Sequence, residues 1–185
     1  MAEQESHIVP AQITGLILAG GRGTRMGTVD KGLQLFRGQT MVQKVLARLT
    51  PQVGRVIINA NQNLERYKEL GLPVVPDQIA GYAGPLAGLH AGLSRCETDY
   101  LLTVPCDAPL LPDNLAQTLA AALLAADAEL AMVVTGDEKK PERQPVFCLM
   151  KKTVLPVLSN YLQQGGRKDA TAAKGEPTHP RILRR

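Results

Sequence analysis

The stretch ITGLILAGGRGTRMGTVDKG, Ile13 to Gly32, decides the fold. Its first third is an apolar run that reads as a buried strand, and it breaks at once into Gly20, Gly21 and Gly23 and then into Arg22, Arg25 and Lys31. A buried strand that opens directly into a glycine loop is the entry of an α/β sheet carrying an anion site. The loop fits neither of the common phosphate templates. Met26 stands where the dinucleotide pattern requires its third glycine, and Gly32 is followed by Leu33, so no P-loop can be aligned. The physical reading survives this failure. Three glycines let backbone N–H groups converge on phosphate oxygens, and Arg25 and Lys31 bring charge to an oligophosphate. Glycines alone would read as an ordinary turn, and the two nearby cations weigh against that.

Outward from this stretch, short β-branched runs alternate with helical patterns. Met41, Val42, Val45, Leu46 and Leu49 share a helical face that ends before Pro51. RVIINAN, from Arg55, is a second strand. NLERYKELG is a short helix closed by Gly71, and LPVVPD a third strand. GYAGPLAG leads into a helix to about Arg95, DYLLTVPCD is a strand ending in Asp107, and Pro112 is expected to open a long helix through Ala126. ELAMVVTG and QPVFCLM are further strands, joined by DEKKPER, too short for a crossover helix, so these two are expected antiparallel. KTVLPVLSNYLQQGG is a helix with an expected kink at Pro156. The fold class that follows is α/β, a single-domain three-layer Rossmann-like sandwich with a mostly parallel sheet and one antiparallel strand. In such a sheet ligands bind beyond the carboxyl ends of the strands, which is where the glycine loop, Asn59 with Asn61, and Asp107 all fall.

Composition agrees. A chain of 185 residues with 44% hydrophobic residues suits one sizeable core. Residues 1–12 read as a flexible polar leader, 13–168 as the domain, and 169–185 as a mobile tail. No apolar stretch approaches the ~20 residues that a bilayer span requires, and three widely spaced cysteines suit reduced thiols, so a cytoplasmic protein without a membrane partner is expected. The charge of +4 admits nucleic acid, but 3% aromatics and no tryptophan leave no stacking platform, and a small anionic substrate explains the basicity as well. Cys106 ends an apolar run and reads as a buried small residue rather than a nucleophile. His7, His90 and His179 do not assemble a metal site. Lys139, Lys140 and Arg143 form a basic loop, ordinarily a solvated face, that at the rim of a cleft would steer a phosphate.

LILAGGRGTRMGTVDKGL resembles the signature of nucleotidyltransferases of the nucleotide-diphospho-sugar transferase fold, and its LAGG, RMG and DK elements are similar to the molybdenum cofactor guanylyltransferases in particular. Three further segments match in order: NAN at Asn59 to Asn61, PD at Asp77 followed by GPLAG at Gly84 to Gly88, and PCDAPLLP at Pro105 to Pro112. The resemblance implies transfer of GMP from GTP to the terminal phosphate of molybdopterin, with release of pyrophosphate. It implies nucleotide binding by Leu18, Ala19, Gly20, Lys31, Asn59, Asp77 and Asp107, Mg²⁺ on Asp107, and catalytic roles for Arg25, Lys31 and Asp107. Gly21, Gly84, Gly88, Arg143 and Arg167 are further candidate substrate contacts. Transient partners would be the proteins that make molybdopterin and those that receive its product. Taken singly, Asn59, Asn61 and Asp77 are also good turn formers after a strand.

The sequence departs from the family after LQQGGRK. Where relatives continue with a strand and an N-x-N-T-P-like motif, this chain runs DATAAKGEPTHPRILRR. Two other functions therefore stay open at this point. One is a cytidylyltransferase for the same pterin, or a sugar-phosphate nucleotidyltransferase. The other is a non-catalytic module that binds GTP or cofactor and delivers it.

Overall fold

The computed structural model describes residues 7–19, 30–79, 84–137 and 139–164. Strand β1, Ile13–Leu18, is buried along nearly its whole length, as a central strand of a sheet covered on both faces must be. Ahead of it Pro10–Gln12 form one 3₁₀ turn and Ile8 packs against the core. A two-residue hairpin follows the glycine-loop stretch, β2 Leu35–Phe36 and β3 Gln39–Thr40. Its turn residues Arg37 and Gly38 both have positive φ, at 49° and 80°, as a primed turn demands. Helix α1, Met41–Leu49, is opened by a reciprocal capping box between Thr40 and Gln43 and buries Val42, Val45 and Leu49, the predicted face.

The remaining elements run in the expected alternation: β4 Arg55–Asn59, α2 Leu64–Lys68, β5 Val74–Val75, α3 Pro85–Arg95, β6 Tyr100–Pro105, α4 Leu115–Ala125, β7 Leu130–Thr135, β8 Glu142–Lys151 and α5 Leu155–Gln163. The six-stranded sheet has the order β5-β4-β1-β6-β8-β7. β1 pairs in parallel with both β4 and β6, while β8 is antiparallel to β6 and to β7 and is the one reversed strand. The order reverses direction between β1 and β6, which puts the topological switch point at the carboxyl ends of those two strands.

Side-chain alternation along β1 splits the core in two. Ile13 and Ile17 face α1 and α4, and Leu16 faces α3 and α5. Helix α3 lies close on the sheet because Gly88 and Gly92 share one helical face. A Cβ on Gly92 would stand 2.4 Å from Leu16 Cδ2, so a side chain there would force the buried Leu16 or the helix to shift.

Three expectations are corrected. α4 begins at Leu115, because Pro112 lies outside the helix and Asp113 and Asn114 form the turn ahead of it. Pro156 does not kink a helix; it occupies the first turn of α5, where its missing N–H costs nothing. β8 starts at Glu142, inside the predicted loop, and carries Pro145 within an irregularity. Met132 pairs with Cys148 but Val133 with Gln144, so residues 145–147 bulge out of the β7 ladder. A proline without a donor is tolerated there. Residues 1–6 of the expected leader and the boundary expected near 168 lie outside the described residues.

Candidate active site

The carboxyl ends of β1, β4, β5 and β6 converge on one site. The ladder carries the backbone past the last strand residues: Ala19 N donates to Asn59 O at 2.8 Å, Cys106 N to Leu18 O at 3.1 Å, and Ala60 N to Val75 O at 3.2 Å. Leu18, Ala19, Asn59 and Asp107 are thereby held side by side. Gly20, Gly21, Arg25 and Arg167 lie outside the described residues.

On the β4–β5 side the polar groups interlock. Asn59 is buried, and its Nδ2 donates to Val75 O at 3.1 Å and to Asp77 Oδ1 at 2.9 Å. Asn61 Nδ2 donates to Asp77 Oδ2 at 2.8 Å while Asp77 N donates back to Asn61 Oδ1 at 2.9 Å. Each carboxylate oxygen of Asp77 thus takes one amide donor and retains lone-pair capacity for a nucleoside donor. Gly88 completes this corner. A Cβ there would meet Asn59 Oδ1 at 2.5 Å and Leu18 Cδ2 at 2.8 Å, so only glycine lets α3 sit behind the asparagine. Gly84, with φ of 144°, turns the chain into α3 in a conformation that other residues rarely adopt.

On the β1–β6 side the groups are charged and open. Lys31 begins a 3₁₀ turn, Lys31–Leu33, and its Nζ stands 3.2 Å from Asp107 Oδ2, directly after β6. The side chains are 70% and 34% exposed, so the pair contributes about 0–1 kcal/mol to stability and its purpose is not the fold. The turn itself is capped by Asp30, whose Oδ1 accepts from Gly32 N at 3.1 Å. Cys106 lies beneath, buried. Burial first, then the Asp107 and Asp30 charges, pushes its thiol up to about 12, which leaves it protonated and unsuited to attack.

Arg143 is exposed near the start of β8, opposite Val134. Because β8 runs antiparallel to β6, that segment extends past the Asp107 end of the sheet, and Arg143 stands on the rim. His90 is half-buried on α3, with Nε2 3.0 Å from Ser159 Oγ of α5, and takes no part in the site. Among the described residues no group of three or more His, Cys, Asp or Glu is clustered for a metal. Sequence reasoning missed Asp30 and Tyr67 and undervalued Asn61. The available signal was the placing of Asp30 between the glycine loop and Lys31.

Residues 15–178 match the MobA-like NTP transferase domain. The chain belongs to the MobA-like NTP transferase family. It is 54% identical over 181 residues to a protein of Ralstonia nicotianae named molybdenum cofactor guanylyltransferase, covering 95% of this chain and 87% of the relative. A Bordetella petrii protein of the same name is 55% identical over 156 residues, covering 84% and 80%. Among solved structures, molybdopterin-guanine dinucleotide biosynthesis protein A from Archaeoglobus fulgidus aligns with a TM-score of 0.65 at 19% identity, covering 84% of this chain and 75% of that one. A 4-diphosphocytidyl-2C-methyl-D-erythritol synthase from Anaerococcus prevotii aligns nearly as well, with a TM-score of 0.63 at 13% identity, covering 95% and 86%. The MobA-like fold is therefore shared by enzymes of different names, and the architecture alone does not select among them. This MobA-like chain is a nucleotidyltransferase, and no helix among its described residues is long and apolar enough to cross a membrane.

Proposed function

We propose that the chain is a molybdenum cofactor guanylyltransferase that moves GMP from GTP to the terminal phosphate of molybdopterin. The observation that carries the reading is the pairing of the preformed Asn59–Asn61–Asp77 corner with the exposed Lys31–Asp107 pair at one switch point, in a chain 54% identical to relatives of that name.

The acceptor phosphate is ionised at neutral pH, so it attacks the α-phosphorus without a general base. A new P–O bond forms to the acceptor oxygen, the bond from the α-phosphorus to the bridging oxygen breaks, and pyrophosphate leaves with that electron pair. The protein's part is in-line positioning and charge stabilisation. Asp77 orients the nucleoside, and Lys31, with Arg25 of the glycine loop, balances charge on the transferring and leaving phosphates. Asp107 is the residue that would hold Mg²⁺. A carboxylate oxygen at a partly open strand end is the hard donor that this ion takes, and Mg²⁺ needs only one or two protein carboxylates when substrate phosphates supply other ligands. When bound, the ion would neutralise phosphate charge. Lys31, exposed and held to Asp107 by one contact of 3.2 Å, is free to turn to a phosphate. Arg143 on the rim, with Lys139 and Lys140 in the same hairpin, would draw in the pterin phosphate, and transient contacts with cofactor-synthesis and cofactor-receiving proteins in the cytoplasm fit this role.

The test is to offer the purified chain GTP, CTP and ATP in turn with Mg²⁺ and molybdopterin, and to assay pyrophosphate and dinucleotide. Product with GTP alone supports the proposal. Product with CTP, or tight GTP binding without product, refutes it.

A further inference from the structure

Tyr67 of α2 is fully buried, yet it carries a hydroxyl where phenylalanine would fill the same space. That hydroxyl donates to Asp30 Oδ1 at 2.6 Å. The same oxygen caps the Lys31 turn through Gly32 N, and Asp30 Oδ2 accepts from Asn63 Nδ2 at 2.9 Å, so the carboxylate is held by three donors from two segments. Burial, and then the bond to Asp30, hold the phenol well above its ordinary range, so it is a permanent donor. The other side of Lys31 is fixed by the same ring. A Cβ on Gly32 would meet Tyr67 Oη at 2.6 Å and both Cys106 Cβ and Sγ at 3.0 Å. Lys31 is thus bracketed between a residue that Tyr67 bonds and a residue seated between Tyr67 and Cys106. Cys106 in turn immediately precedes Asp107.

We propose that Tyr67 is a positioning residue for the transfer reaction, setting through Asp30 and Gly32 where the Lys31 ammonium stands beside Asp107. The role rests on the guanylyltransferase reading. Among the described residues the side-chain partner of this long, solvent-exposed lysine is Asp107, and a surface ion pair alone orders its partners weakly. A tyrosine at 67 lets α2, a short helix outside the site, determine a distance inside it. It also links the two sides of the site, because Asn61 and Asn63 lie within one turn of chain ahead of α2.

The experiment compares Tyr67→Phe, Lys31→Ala and the double variant in the full chain, measuring turnover with GTP, Mg²⁺ and molybdopterin, GTP affinity, and Tm. Tyr67→Phe keeps the ring and removes only the donor. It is expected to lower kcat about tenfold, with a Tm loss of a few degrees. In the Lys31→Ala background the same change is expected to cost less than about twofold in kcat while lowering Tm as before, because the lysine it places is gone. Multiplying losses in the double variant, or wild-type kcat in Tyr67→Phe, overturn the proposal. A wild-type chain that binds GTP but forms no dinucleotide refutes the transferase reading instead, and the same cycle read on GTP affinity then decides the role of Tyr67.

Discussion

The two sides of the site are built on opposite plans. On the β4–β5 side, Asn59 is buried, and the Asn59 and Asn61 amide donors and the Asp77 carboxylate and backbone N–H are bonded to one another or to Val75. On the β1–β6 side, Lys31 and Asp107 meet in solvent with one long contact between them. The first arrangement cannot change without leaving buried amide and carbonyl groups unpaired, and the second changes at little cost. Recognition of a nucleoside benefits from a fixed set of acceptors. Handling phosphates whose charge moves during the reaction benefits from groups that exchange partners, and under the proposed function the two demands fall on separate sides of the site.

The sharpest way to break this comparison is Asp107→Ala. If the open side exists for chemistry alone, turnover falls about a thousandfold, as the loss of several kcal/mol of charge stabilisation implies, while stability changes by less than about 1 kcal/mol. Calorimetric melting beside steady-state rates measures both. A variant that loses stability in proportion to activity would make Asp107 a structural residue. Lys31→Ala comes next, with an expected loss of about a hundredfold in kcat, the size seen when one preorganised donor to a developing charge is removed. A rise in KM for GTP at unchanged kcat would move Lys31 from the transition state to ground-state binding.

Asn59→Ala probes the closed side and should fail in the opposite manner. Val75 O and Asp77 Oδ1 both lose a donor, so stability drops by about 1–3 kcal/mol. KM for GTP rises about tenfold as Asp77 loses its orientation, with kcat nearly retained. A large kcat effect at unchanged stability would erase the distinction between the two sides.

Much of this was legible in the sequence, for identifiable reasons. The strands announced themselves where β-branched runs ended in glycine, asparagine or aspartate; Asn59, Asp77 and Asp107 stand out because each follows or closes such a run, and Lys31 stands out as a cation beside the glycine loop. The β2–β3 hairpin escaped because two-residue strands have no readable period, although Arg37-Gly38 is acceptable chemistry for its turn. β8 was read short because Glu142 and Arg143 belong to the polar run DEKKPER, which has no strand period, and their pairing with Thr135 and Val134 beyond the bulge is a property of the ladder. The same limit hid the Asp30–Tyr67 bond. Tyr67 looks like any apolar-face residue of a short helix, and the partner its hydroxyl requires lies 37 residues upstream. Local pattern reports which residues face inward, and only the assembled sheet reports which polar atoms then find each other.

The smallest expected effect tests the closed side from behind. His90 sits on α3 one turn from Gly88's neighbours, and its Nε2 meets Ser159 Oγ of α5, while Nδ1 is buried without a hydrogen-bond partner among the described residues. Burial lowers its pKa below the ordinary value near 6.5. A histidine kept neutral by folding binds more protons unfolded than folded. Its contribution is therefore complete above about pH 6.5 and declines as pH falls from there toward the folded value. Wild-type Tm is expected to drop between pH 7.5 and 5.5 by a few degrees more than that of His90→Gln, which keeps a polar group for Ser159 but does not titrate. Because α3 also seats Asn59 through Gly88, the same pH change should raise KM for GTP more in the wild type than in the variant. Identical pH profiles for the two proteins would show that protonation at His90 leaves the α3–α5 contact untouched, and that the closed side is insulated from the helix behind it.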